Sequence, residues 1–260
     1  MWVYLVIGLL AGTIVSSWQG YKDPPWEGFV LTKFLRSILV GGVIGIAAFM
    51  LQSRHAIMVD NLWLLLLTML ATERLVGETY KGFLRPSAHP EYFKLFRRLH
   101  LPLGHPVLKV TFGLAFLAGG LWLYWLFGKL GGRVIGMLGY TPPAGVVIGF
   151  AAGLMAATGG ALKDSQFEGF KPLKFVRSPI MSAIGGAVLV GVSRQPLLIS
   201  LGAVGFERVV VEFYKTFIRR QVRGIHEHKP LLHPEWLQRR HWFMVSFLAC
   251  VAVCAALLAG

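Results

Sequence analysis

Residues Lys22–Ser37 read K-D-P-P-W-E-G-F-V-L-T-K-F-L-R-S, and Lys163–Ser178 read K-D-S-Q-F-E-G-F-K-P-L-K-F-V-R-S. Lys, Asp, Glu, Gly, Phe, Lys, Phe, Arg and Ser recur at the same spacing, 141 residues apart. Two more echoes follow. E-R-L-V-G-E-T-Y-K-G-F-L-R from Glu73 returns as E-R-V-V-V-E-F-Y-K-T-F-I-R from Glu207, and His89-Pro90-Glu91-Tyr92 returns as His233-Pro234-Glu235-Trp236. A chain that writes its charged motifs twice is expected to be two tandem repeats, 1–130 and 131–260.

The segments between the motifs are apolar. Of the 260 residues, 55% are hydrophobic and only 15% charged, well below the quarter usual in soluble domains. This composition predicts an all-α polytopic membrane protein. Each half shows four apolar runs: about Met1–Trp18, Phe34–Leu51, a third from Asn61 and Pro106–Phe127, then Pro143–Ala161, Phe175–Val192, a third from Pro196 and Trp242–Leu258. About eight transmembrane helices follow, with both four-helix repeats in the same orientation. The first run lacks a basic leader and a small-residue cleavage site, so it reads as a retained helix. Gly8 and Gly12, matched by Gly149 and Gly153, suggest a close contact between the first and fifth helices.

The net charge of +14 would suggest nucleic acid in a soluble chain, but here the basic residues flank apolar spans. The motif-bearing loops and adjoining helix ends hold 20 of the 26 Lys and Arg, against Arg54, Lys129, Arg133 and Arg194 on the other side. The positive-inside rule then makes the motif side cytoplasmic and both termini external, in a bacterial inner (cytoplasmic) membrane. The expected partners are the bilayer and anionic headgroups on that side. Cys250 and Cys254, four apart in the last run, read as small packing residues.

Ten of the twelve acidic residues form five repeat pairs: Asp23/Asp164, Glu27/Glu168, Glu73/Glu207, Glu78/Glu212 and Glu91/Glu235. Glu73-Arg74 and Glu207-Arg208 fall inside the third runs, where an ionised group is costly unless paired or hydrated. Arg74 with Glu78 and Arg208 with Glu212 are i,i+4 neighbours, and Lys81 and Lys215 extend that face. One reading is a pathway for a small ion or charged solute lined by these eight residues; the other is a buried ion-pair network that fixes helix positions.

The repeated loops offer Lys22, Asp23, Glu27, Lys33, Arg36 and Ser37, and Lys163, Asp164, Glu168, Lys174, Arg177 and Ser178. Their carboxylates suit a cation such as Mg²⁺, and their Lys, Arg and Ser a phosphate at a helix N-terminus. The alternative is a loop anchored at headgroup depth by Trp26 and Phe29. His89 and His233 read as interfacial turns ahead of Pro, and His226 and His228 as a solvated basic loop. No cofactor and no particular metal is implied, and no Walker loop, nucleophile elbow or H-E-x-x-H is present.

The expected function is a membrane transporter or channel for a small ion or charged solute, with matched charged sites near the cytoplasmic side. The alternatives are a membrane-embedded enzyme acting on a phosphorylated lipid, and a non-catalytic subunit of a membrane complex. Oligomerisation is left open.

Overall fold

The computed structural model describes residues 1–55, 61–80, 83, 106–220 and 230–259, with the backbone alone at 53–55, 106, 162–168 and 257–259. Every apolar run is helical: α1 (Trp2–Lys22), α3 (Leu31–His55), α4 (Leu62–Thr79), α5 (Pro106–Leu138), α6 (Pro142–Glu168), α7 (Pro172–Leu189), α8 (Pro196–Phe213) and α10 (His241–Ala259). Two four-residue helices, α2 (Pro24–Glu27) and α9 (Trp236–Arg239), and a π-helical turn, Tyr214–Ile218, also lie among the described residues. No strand occurs among the described residues. Among the described residues five stretches are long and apolar enough to cross a membrane: Trp2–Lys22, Leu31–Gln52, Val107–Leu138, Pro142–Ala161 and Trp236–Ala256. The charged trios Glu73/Arg74/Glu78 on α4 and Glu207/Arg208/Glu212 on α8 dilute the apolarity of those 18-residue helices.

Helices group into two compact units, Met1–Glu73 with Gly205–Gly260, and Arg74–Val204. In the first unit α1 is apolar all round and correspondingly central, with Ile7, Ala11, Ile14, Val15 and Trp18 almost fully buried. It packs along α3 on one side and α10 on the other. Leu65, Met69 and Leu70 of α4, Phe217, Phe247, Cys250 and Cys254 close the same core. Both cysteines are free and buried, as small packing residues would be. In the second unit α6 packs along α7 and α5.

Both main helix pairs close on glycine. Lipid is as apolar as leucine, so helices associate through close van der Waals approach instead of expulsion from water. A Cβ on Gly8 would strike the Gly41 carbonyl, one on Gly12 the Ser37 carbonyl, and one on Gly45 the Tyr4 carbonyl. In the second unit Gly149 meets Ser182, Gly186 meets Gly145 and Gly153 meets Pro179. Adding 141 converts Gly8–Gly41 into Gly149–Ser182, and Gly45–Tyr4 into Gly186–Gly145. This corrects the expected contact between the first and fifth helices. The G-x-x-x-G faces of α1 and α6 are taken up by the next helix of the same unit, α3 and α7, which brings small residues of its own to the seam.

Candidate functional site

The charged residues of the first unit gather where α1 ends. Among the described residues three ion-pair groups form there, and two of them join residues from opposite sequence halves.

Lys22, the last residue of α1, is 8% exposed, and its Nζ lies 2.5 Å from Oε2 of Glu212 on α8. The other Glu212 oxygen is 3.2 Å from Lys215 Nζ, on the π-helical turn. Deeper in the unit, Arg208 Nη2 is 2.7 Å from Glu73 Oε2, both side chains under a tenth exposed. Arg208 also donates to the Leu70 carbonyl and lies 5.4 Å from the centre of the Trp18 ring. On the guanidinium side the Leu70 carbonyl accepts a hydrogen bond and the Trp18 face adds a cation–π contact, which offset part of the cost of burying the charge. The expected i,i+4 pairing of Arg208 with Glu212 is overturned. The guanidinium is held against α4, and Glu212 is satisfied by two lysines.

The third group is local to the repeated loop. Pro24 and Pro25 lack N–H groups, so α1 cannot continue through them. The Asp23 carbonyl accepts from Trp26 and Glu27, and Pro24 from Gly28, which closes the short turn of α2. Gly28 then turns the chain at φ 73° and ψ 167°, a conformation reserved for glycine. The turn brings Lys33 Nζ to 2.6 Å from Glu27 Oε2 and 3.2 Å from Asp23 Oδ2. Asp23 is itself buried, and a small pocket opens beside it, lined among others by Ser16, Gln19, Gly28, Phe29, Lys33 and Phe34.

Other elements of the second half complete the surroundings. The His233 amide donates to the Pro25 carbonyl at 3.0 Å. Its imidazole lies against Gly28, with Nδ1 3.4 Å from Glu235. Phe29 packs with Phe34, Trp236 and Phe243 in one aromatic cluster. Arg240 covers Tyr21 at 4.7 Å.

The structure thus brings together Lys22, Asp23, Glu27, Lys33, Glu73, Arg208, Glu212 and Lys215 within one unit. Ser37 faces the glycine seam instead of the pocket, and its second-copy mate Ser178 is likewise buried. Arg36 is half-buried on α3. Glu207 is buried on α8, while Arg74 and Glu78 are half-buried on the part of α4 in the second unit. Lys174 and Arg177 are half-buried on α7. Lys163, Asp164 and Glu168 form the last turns of α6, where only the backbone is described; Lys81, His89, His226 and His228 lie outside the described residues. Among the described residues no group of three His, Cys, Asp or Glu side chains is close enough to hold a metal ion.

Sequence reasoning passed over the aromatic wall, although its signal was present. Phe29 and Phe34 recur as Phe170 and Phe175, and the ring centres lie 5.8 Å apart in the first pair and 5.6 Å in the second. Comparison with protein-family models, curated proteins and solved structures found no match.

Proposed function

We propose that the chain is an integral membrane transporter or channel for a small ion or charged solute, built from two tandem four-helix repeats. In this reading all eight long helices span a bacterial inner membrane, with the repeated loops on the cytoplasmic side near anionic headgroups. One observation carries it: ion pairs join residues of opposite halves, Glu73 with Arg208 where both are buried, and buried Lys22 with the partly exposed Glu212. Repetition writes the same four residue types a second time as Lys163, Glu78, Glu207 and Arg74. A structural clamp is complete with one set. Two sets of equivalent, oppositely charged partners suit a protein in which charges exchange partners as a solute passes.

Flux through proteoliposomes tests this. Glu73→Gln and Glu207→Gln are each expected to cut flux while the protein still accumulates and reconstitutes. Loss of accumulation in both variants would make the network structural and remove the transport reading.

A second reading, an enzyme acting on a phosphorylated lipid, is favoured by one asymmetry. The Pro24–Pro25 break shapes the pocket in the first copy, whereas α6 runs on through Glu168 in the second. A single-site enzyme predicts unequal effects of Asp23→Asn and Asp164→Asn on turnover, and equal effects count against it.

A further inference from the structure

Arg239 and Arg240, at the junction of α9 and α10, are two guanidiniums of the first unit that no carboxylate answers. Glu235, one turn earlier, lies 3.4 Å from His233 Nδ1, and among the described residues no acidic side chain is within ion-pair distance of either arginine. Arg240 stands over Tyr21, 4.7 Å from the ring centre, and its Nε is buried with no hydrogen-bond partner. A cation–π contact satisfies the face of a guanidinium and leaves its in-plane N–H donors in need of an acceptor. The backbone fixes the pair in place. The Arg240 amide donates to the Trp236 carbonyl at 2.9 Å, and the Arg240 carbonyl accepts from the Phe243 amide at 3.0 Å.

Position in the chain identifies the acceptor. Trp236–Ala256 is long and apolar enough to cross a membrane, so the arginines stand in its first turns, at the boundary with water. Trp242 beside them is 74% exposed, as tryptophan is at headgroup depth. No acidic residue occupies the first turn of α10, so both cations stand uncompensated at the positive end of a 19-residue helix. An anion relieves that arrangement, and a phosphate suits it, because its oxygens accept two parallel N–H bonds from one guanidinium. The arginine pair also recurs in the sequence as Arg97-Arg98, outside the described residues.

We propose that Arg239 and Arg240 bind a phosphate group at the start of α10, Arg240 as the oriented contact and the exposed Arg239 as a second charge. The phosphate of an anionic lipid and free inorganic phosphate share this chemistry. The inference rests on the membrane placement in the proposed function and not on transport, because binding is measurable without flux.

The full-length protein in a neutral maltoside detergent is titrated calorimetrically with dihexanoyl-phosphatidylglycerol and with inorganic phosphate. Arg240→Gln is expected to weaken binding about tenfold, the worth of a hydrogen bond to a charged group, and Arg239→Gln about fivefold. Arg240→Lys keeps the charge and loses the paired donors, so it too is expected to weaken binding. Arg133→Gln removes the same charge from the exposed Arg133 of α5, in the other unit, and should change nothing. Tighter binding of the lipid than of inorganic phosphate assigns the site to a headgroup, and binding of the inorganic ion at least as tight assigns it to free phosphate. The proposal is overturned if neither probe binds. It is equally overturned if Arg240→Lys binds as the wild type does or if Arg133→Gln weakens binding as much as Arg240→Gln, since either result means diffuse attraction to a basic surface. If Arg240→Gln does not fold, Arg239→Gln and Arg240→Lys decide. Phosphate binding without flux in proteoliposomes leaves the site standing and withdraws transport, and flux without phosphate binding does the reverse.

Discussion

The two copies of the loop share five charged positions, Lys171 being added in the second, and differ at two residues that decide their backbones. Lys22-Asp23 is followed by Pro24-Pro25, and Lys163-Asp164 by Ser165-Gln166. α1 therefore ends at Lys22 and restarts as the single turn α2, whereas α6 carries the equivalent residues as uninterrupted helix to Glu168. Three residues further on the copies agree again. Gly28 and Gly169 take positive φ of 73° and 71°, and the Phe pair that follows has nearly the same ring spacing. Repetition is thus strict at the glycine that turns the chain into α3 or α7 and at the aromatics behind it. It is loose in the four residues before the turn, which is where the first copy acquires its pocket.

The largest expected effect tests whether the charge frameworks of the copies are energetically equal. Arg208 is buried under Trp18 with Glu73, whereas its repeat mate Arg74 is half-buried. Arg208→Met leaves Glu73 as a buried carboxylate without its guanidinium, and breaking such a pair costs about 3–5 kcal/mol. Arg74→Met is expected to cost clearly less. Thermal unfolding in detergent measures both. Equal losses would mean that the two copies carry equivalent pairs and that exposure at Arg74 is no guide to its energetics.

Next in size is an exchange of the dipeptides. Ser165→Pro places a proline within α6, where it removes an intrahelical hydrogen bond and clashes with the preceding turn, at a cost of about 3 kcal/mol. The reciprocal Pro24→Ser/Pro25→Gln change restores two N–H groups and is expected to cost little stability, since it allows α1 to extend as α6 does. Its consequence lies in the pocket, which depends on the break. The melting temperature should barely move. A large loss of stability from the reciprocal change would show that α2 is needed for the fold and not only for the site.

Such exchanges are conceivable because much of the fold was legible in the sequence. Apolar runs broken by charged motifs marked the eight long helices among the described residues, and the glycines at 8, 12, 149 and 153 marked close helix contacts. The partner of each seam was not legible. A G-x-x-x-G face states that something approaches closely, but Gly41 with Gly45, and Ser182 with Gly186, repeat the same small-residue spacing one helix further on, and spacing alone does not say which of the four faces meet. The site was legible to the same degree. Recurrence singled out Lys22, Asp23, Glu73, Arg208 and Glu212, yet i,i+4 spacing paired Arg208 with the wrong carboxylate. Helical spacing describes neighbours on one surface, and a guanidinium under Trp18 takes the cross-helix partner that burial brings nearer. His233 at Gly28 was invisible for the same reason, since its contact is made across about two hundred residues of chain.

The smallest expected effect separates backbone strain from crowding at the two matched glycines. Alanine at positive φ is strained wherever it stands, by about 1–3 kcal/mol in the region Gly28 occupies. At Gly169 nothing among the described residues lies within 4 Å of an added Cβ, so Gly169→Ala is expected to report backbone strain. At Gly28 the added Cβ meets His233 Nε2 at 3.2 Å, which adds a steric term. Gly28→Ala is therefore expected to lower the melting temperature more than Gly169→Ala, by a few degrees. Combining Gly28→Ala with His233→Ala should recover the excess and leave the backbone part, a non-additivity that a double-mutant cycle measures directly. If the cycle shows no coupling, the imidazole yields freely, and the two turns are equivalent in energy as well as in conformation.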